Sequence, residues 1–526
     1  MTVRGAAARK PLILASLLLA AFAINVDTTI VNVALPTLVR ELRASNVQLE
    51  WIVDAYNLVF AAFVLASGNL SDRLGRKGVL LTGLAVFAAA TVAGGLGNSP
   101  GELIAARAVM GLGAALIFPA TLSLLTNVFT ERRERARAIG LWGATTGVGI
   151  ATGPIVGGWL LEHFSWSSVF FALAPIAVAA AVLVAWTVPT SRDPAAPPAD
   201  RPGLILSTAA MALLIYTIIE APNHGWGSTR SVVGFAVAAV LLVAFVGWER
   251  RTSAPMLDVG LFKNLRFSAA SGAVAITFFS LMGFIFIVTL YFQFLKGYGP
   301  LDTGVRLLPV ATMVGVTSVV GTGLAVRAGT KLVVAGGMVS LAVGLIWTSS
   351  VSASTSYRTI AGQMVLIGAG IGLTSAPATE SIMGAVSRAR AGIGSAVNDA
   401  TRILGATLGV AVIGSIYASL YASQLTATLG VDIPDAVARA AQRSVGEAFG
   451  AAAALQAGGH ADLGQALHDA AAGAFFHGFE AACLVAAAVS GAGAIFAALL
   501  IPSQPPRNCI GEVQPKPVQL ARAATE

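Results

Sequence analysis

Charge is scarce in this chain. Only 11% of its 526 residues are Asp, Glu, Lys or Arg, against roughly 25% in a soluble domain. With 56% hydrophobic residues and a mean hydropathy of +0.79, a water-soluble fold could not cover its surface. Cysteine is nearly missing. Cys483 and Cys509 are too few for a disulfide framework, and neither has a metal ligand at useful spacing. The histidines (His163, His224, His460, His468, His477) are scattered and read as loop or packing residues. Alternating polar and apolar strand patterns are missing, which argues against a membrane β-barrel. The chain has no Walker A loop, metal cluster or nucleophile constellation. No polar segment is long enough for a nucleotide-binding domain. An enzyme and an ATP-driven pump are therefore not expected, and no cofactor is expected.

Long apolar runs are abundant. Crossing about 30 Å of hydrocarbon takes about 20 mostly apolar residues in a helix. Fourteen such runs lie near 11–36, 49–70, 78–97, 101–126, 138–161, 166–189, 203–222, 230–249, 266–293, 303–326, 331–349, 359–385, 391–421 and 473–501. They are numbered here as spans 1 to 14. Arg4, Arg9 and Lys10, followed by an apolar stretch ending at Ala21-Phe22-Ala23, have the outline of a signal peptide. The apolar run continues past Asp27 to Leu35, so a retained first span is expected.

The excess of 33 Lys and Arg over 25 Asp and Glu, a net +8, follows membrane topology. With both termini cytoplasmic, most basic residues fall in cytoplasmic segments, among them Arg73, Arg76, Lys77, Arg132, Arg133, Arg135, Arg137, Lys263 and Arg266. That agrees with the positive-inside rule and explains the basic character without nucleic acid. Residues 190–202 are Pro-rich and read as a cytoplasmic linker. Residues 422–472 are external and Ala-rich, either amphipathic helices over the outer mouth near 434–456 or a partly ordered loop.

An ionisable side chain inside a span is costly unless it faces a wet cavity or a partner, so each is a functional candidate. They are Asp27, Asp54, Arg107, Glu380, Asp399 and Arg402, with Glu220 at the outer end of its span. From a rise of about 1.5 Å per residue, Asp27, Asp54 and Arg107 lie roughly 13, 8 and 9 Å below the outer end of their spans. Asp399 and Arg402 lie roughly 12 and 17 Å from the inner end of span 13, and Glu380 sits in the inner half of span 12. A carboxylate in a low-dielectric site can exchange protons near neutral pH, and a nearby guanidinium opposes its protonation. Buried ion pairs that only hold helices together are the plainer alternative.

Several motifs recur in a known family. The loop after span 2 reads Gly68-Asn69-Leu70-Ser71-Asp72-Arg73-Leu74-Gly75-Arg76-Lys77, a tight basic turn. It resembles the G-x-L-x-D-R-x-G-R-K loop of the major facilitator superfamily. The resemblance implies that Gly68, Asp72, Arg73, Gly75 and Arg76 lock the inner helix ends and gate alternation. Arg107 in span 4 is similar to that family's membrane arginine. In span 5, Gly149, Gly153 and Gly157 repeat every four residues, and with Pro154 and Gly158 they resemble the antiporter motif. Asp27 through Pro36, Trp51 through Tyr56, Pro255 through Lys263, and Gly394 through Gly405 resemble segments of the fourteen-helix drug:proton antiporters, the branch with quaternary-ammonium exporters. Two departures stand out. Span 13 has Asn398-Asp399 where some relatives pair two acids, and Val310–Val320 holds no acid, so substrate range is expected to differ.

The resemblance implies an all-α integral membrane protein with 6+2+6 helices. The expected units are an N-terminal bundle (1–190), a linker with two inserted helices (191–265), a C-terminal bundle (266–501) and a tail (502–526). The expected activity is proton-coupled efflux of lipophilic, cationic drugs at the cell membrane, driven by the proton gradient, by a monomer. A dedicated exporter of one natural antibiotic or metabolite is the alternative. The cavity is expected between the bundles, with Asp27, Asp54, Tyr56, Phe118, Trp142, Tyr291 and Asn398 in it. Trp51 and Phe60 are further aromatic candidates for cation–π contact.

Overall fold

A computed structural model describes residues 10–42, 46–192, 200–253, 255, 257, 259–387, 391–429, 435–443 and 445–502. The first nine residues, the centre of the 190–202 linker, Met256, Asp258, Arg388, Arg390, Cys509 and most of the 502–526 tail lie outside the described residues. So do the side chains of Asn32, Val33, Leu35 and Pro36 in the span-1 motif.

The described residues are helical almost throughout, and 14 helices are long and apolar enough to cross a membrane. Their order matches the apolar runs. Spans 1 to 5 are Lys10–Leu42, Asn46–Leu74, Arg76–Leu96, Pro100–Val128 and Arg132–His163. Span 6, Ser167–Thr187, is jointed at Ala172. Spans 7 and 8 are Arg201–His224 and Thr229–Glu249. Spans 9 to 14 are Leu265–Leu290, Leu308–Ala328, Thr330–Ser349, Tyr357–Gly384, Ala391–Thr428 and Ala461–Leu500. Side chains set several starts: Ser99, Asp200, Ser228, Asn264 and Ser356 each accept a backbone N–H in the first turn of spans 4, 7, 8, 9 and 12.

Two hydrophobic cores form. One is built mainly from spans 1 to 6, the other mainly from spans 9 to 14. They meet where span 5 runs beside span 10 and span 2 beside span 13. Span 7 packs on both span 2 and span 13, so the inserted pair lies over this second seam. Trp51 of span 2 meets Tyr216 of span 7 at 6.1 Å, and Trp226 donates to Ser415 of span 13 at 2.7 Å.

Close helix approach is written in small residues. A Cβ on Gly153 would strike Thr29 of span 1, and one on Gly149 would sit 2.5 Å from Asn25. On the adjoining face of span 5, Pro154 fits against Gly304 and Gly158 against Leu301 of the turn before span 10. The span-5 helix passes unbroken through Pro154. One helix thus touches its own group and the other one along neighbouring faces.

Spans 13 and 14 are longer than their apolar runs, at 38 and 40 residues. Between them lie helices Asp435–Arg443 and Val445–Ala457. Val445, Ala448 and Ala452 are buried, and the Tyr421 hydroxyl donates to the Ala441 carbonyl at 2.9 Å. Of the two alternatives for this segment, its described part is helical and docked.

Candidate functional site

The first charged pair joins three helices of one group. Asp27 of span 1 and Arg107 of span 4 are both fully buried. Arg107 Nη1 donates to Asp27 Oδ1 at 2.7 Å and to Oδ2 at 2.8 Å, and Nε donates to the Ile52 carbonyl of span 2 at 2.9 Å. The guanidinium carbon lies 4.3 Å from the centre of the buried Tyr56 ring. Both carboxylate oxygens are occupied and the cation is covered, which is the arrangement that offsets the cost of burying two charges. Thr29 fixes span 1 just beyond Asp27 by donating to the Gly149 carbonyl of span 5 at 3.1 Å.

The second pair is built differently. Asp399 and Arg402 lie one turn apart on span 13, both buried, with Arg402 Nη1 4.0 Å from Asp399 Oδ1. Arg402 Nη2 instead donates to Thr146 of span 5 at 3.1 Å. Its guanidinium carbon lies 4.4 Å from the Phe278 ring centre, 4.9 Å from Trp142 and 5.0 Å from Phe118. Three rings from spans 9, 5 and 4 therefore surround the cation. Desolvated contacts of this kind contribute about 2 kcal/mol. Asp399 Oδ1 accepts from Asn398 at 3.1 Å, and Thr379 of span 12 donates to Asn398 Oδ1 at 2.9 Å. Asp399 Oδ2 is buried with no hydrogen-bond partner among the described residues.

Aromatic rings connect the pairs. Tyr56 meets Phe60 at 6.0 Å, Phe60 meets Phe118 at 6.1 Å, and Phe118 meets Trp142 at 5.0 Å. Edge-on and tilted geometries of this kind are favourable ones for aromatic pairs. Trp142 Nε1 donates to Thr121 at 3.1 Å, which sets the indole's orientation.

A third set lies at one face of the molecule, called here the basic face. Asp72 is buried between the two groups: Arg76 Nε donates to its Oδ1 at 2.8 Å, and the Gly392 and Ile393 N–H groups at the start of span 13 donate to it at 3.0 and 3.3 Å. The carboxylate thus satisfies a helix N-terminus of the opposite group. Gly75 has φ 107°, open to glycine and strained for other residues, and its turn lets the Arg76 N–H reach the Ser191 carbonyl at 2.9 Å. A Cβ on Gly68 would sit 2.5 Å from the Gly392 carbonyl and from Ala396 Cβ, so spans 2 and 13 touch backbone to backbone. Arg73 is half-buried beside them. On the other seam, Arg135 of span 5 reaches Glu380 of span 12 at 3.4 Å, and Arg266 of span 9 approaches it at 3.8 Å. The seam is closed at this face.

The sequence-derived residues do not all converge. Tyr291, expected in the cavity, sits in the second core with Phe292, Phe476 and Phe479, its hydroxyl donating to the Ser352 carbonyl at 3.1 Å. The span is apolar all round, so nothing in its periodicity tells which face Tyr291 occupies. Asp54 is half-buried on span 2, two residues beyond Ile52. Glu220 faces His224 at 3.2 Å at its helix end. Phe278, Thr146, Arg135 and Arg266 were missed. The two arginines carried a signal, since a basic residue at a helix start can reach an acid one turn inside a neighbour. Phe278 carried none.

Fourteen helices fit to cross a membrane in two cored groups, with acid–arginine pairs buried inside and between them, define a polytopic membrane carrier. The model of the Major Facilitator Superfamily matches residues 17–410, and the chain belongs to that family. It is 35% identical to the multidrug efflux pump LfrA of Mycolicibacterium smegmatis, over 90% of this chain and 93% of that one. It is 33% identical to the methyl viologen resistance protein SmvA of Salmonella typhimurium, over 89% and 93%. In structure it is similar to the human organic anion transporter MFSD10, with TM-score 0.56 over 91% of this chain and 98% of that one at 13% identity. That likeness speaks for the fold alone.

Proposed function

We propose that the protein exports lipophilic cationic drugs across the cytoplasmic membrane in exchange for protons and so confers multidrug resistance. The observation that carries this reading is the pair of buried carboxylates, Asp27 and Asp399, each beside an arginine at the two ends of one aromatic path. The relatives support it: one is named for multidrug efflux, the other for resistance to methyl viologen, a dication.

The basic face is cytoplasmic in this reading, and an even number of spans then puts both termini there. Spans 1–6 and 9–14 rock as two bundles, and Asp72, Arg76 and Gly68 form the latch at the cytoplasmic side. A proton arriving from outside neutralises Asp27 or Asp54. Loss of that charge releases Arg107 and lowers affinity for the bound cation, which leaves outward. Rocking then delivers the proton inward. A 100 mV potential contributes about 2.3 kcal/mol per charge moved. No bound cofactor takes part, and one chain suffices.

The test is substrate-triggered proton movement in inverted vesicles acidified inside. Alkalinisation on adding ethidium, lost with Asp27→Asn, is expected. Silence with ethidium, with dequalinium and with a neutral antibiotic, from protein shown to be folded, overturns the reading.

A further inference from the structure

We propose that the cage of Phe118, Trp142 and Phe278 is the seat for a delocalised cation, and that Arg402 is its tethered occupant, which moves onto Asp399 when a cation enters. The inference deepens the efflux reading and rests on it.

The guanidinium is held by rings more than by its carboxylate. The three ring centres lie 4.4 to 5.0 Å from its carbon, whereas the nearest Asp399 oxygen is 4.0 Å from Nη1, too far for a hydrogen bond. A landing place is already built. Asp399 Oδ2 is buried with no hydrogen-bond partner among the described residues, and the side chain that would approach it is one helical turn away. An unsatisfied carboxylate oxygen in this setting is costly, so its pairing with Arg402 offsets part of the loss of the rings.

The chemistry of the occupant defines the ligand. A guanidinium is planar, delocalised and weakly hydrated, unlike an ammonium. What replaces it over the same rings must share those properties: a planar aromatic cation with its charge spread over the ring system, rather than a metal ion or a primary amine. In the loaded state two cations face one carboxylate, so a monovalent ligand is accommodated better than a divalent one. The cage has walls from both helix groups, Phe118 and Trp142 from one and Phe278 from the other. It is therefore complete only while the groups are together, and its occupant couples filling to their separation.

Equilibrium binding to the purified full chain in nanodiscs tests this, with ethidium, dequalinium and neutral chloramphenicol as probes. Removing the tethered competitor by Arg402→Gln is expected to tighten ethidium about tenfold, the scale of one such cation–π seat. Dequalinium should tighten more and chloramphenicol not at all. Phe278→Leu in the Arg402→Gln background should reverse the ethidium gain. Arg402→Lys keeps the charge but suits the rings poorly, so it should also tighten ethidium, and it serves if Arg402→Gln does not fold. Ethidium affinity unchanged or weakened in both Arg402 variants overturns the inference. So does equal tightening of chloramphenicol, which would make Arg402 a plug by volume. If wild-type vesicles export ethidium while these affinities stand still, only the inference falls. If neither wild type nor variants bind or move any cation, the efflux reading falls with it.

Discussion

Asp27–Arg107 and Asp399–Arg402 have the same composition and opposite construction. The first is closed: three hydrogen bonds from one guanidinium tie spans 1, 2 and 4 together, and both carboxylate oxygens are used. The second is open: a 4.0 Å gap, a guanidinium whose one hydrogen bond among the described residues goes to Thr146, and one carboxylate oxygen without a hydrogen-bond partner among them. The closed pair lies within one helix group, while the open pair's cation is held by side chains of both. The closed pair gives up its bonds only when a proton takes Arg107's place on Asp27, whereas the open pair already holds a vacant oxygen for a change of partner.

The largest expected difference is in stability. Asp27→Asn leaves a buried guanidinium uncompensated and should cost about 3–5 kcal/mol. Asp399→Asn should cost less than half of that, because little bonding is lost. Thermal unfolding in detergent compares the two, and equal losses would break the contrast. Joint replacement sharpens it. Asp27→Asn with Arg107→Gln should recover part of the stability but not proton coupling, read in the vesicle assay. Next in size is Gly153→Val. It forces span 1 off span 5 at Thr29, at a cost of about 1–3 kcal/mol from overpacking. It should weaken proton coupling at Asp27 while leaving ethidium binding at Arg402 near its wild-type value. Smallest is Glu134→Gln, which removes the half-exposed partner of Lys10. It should change stability by less than about 1 kcal/mol and marks the floor of the scale.

Much of the architecture was legible in the chain. Hydropathy runs marked the fourteen spans because lipid demands about 20 apolar residues in each. The scarcity of charge singled out Asp27, Arg107, Asp399 and Arg402, because an ion in hydrocarbon needs a reason to be there. The four-residue glycine spacing of span 5 marked a packing face, and Thr29 and Asn25 fill it. Partnership was not legible. Spacing cannot say that Arg107 grips both oxygens of Asp27 while Arg402 leaves Asp399 for three rings, since those choices depend on side chains from distant spans. Nor could it place Tyr291, because a helix apolar on every side has no face that sequence alone can orient.

Spans 13 and 14, at 38 and 40 residues, extend to about 57 and 60 Å at about 1.5 Å per residue. Hydrocarbon accounts for about 30 Å of that, so some 25 Å of each helix lies beyond the hydrocarbon layer, and the short helices between residues 435 and 457 pack on the pair. That helical hairpin is an asymmetric feature continuous with the very helix that carries Asp399 and Arg402, a landmark by which orientation and tilt can be read in single-particle images.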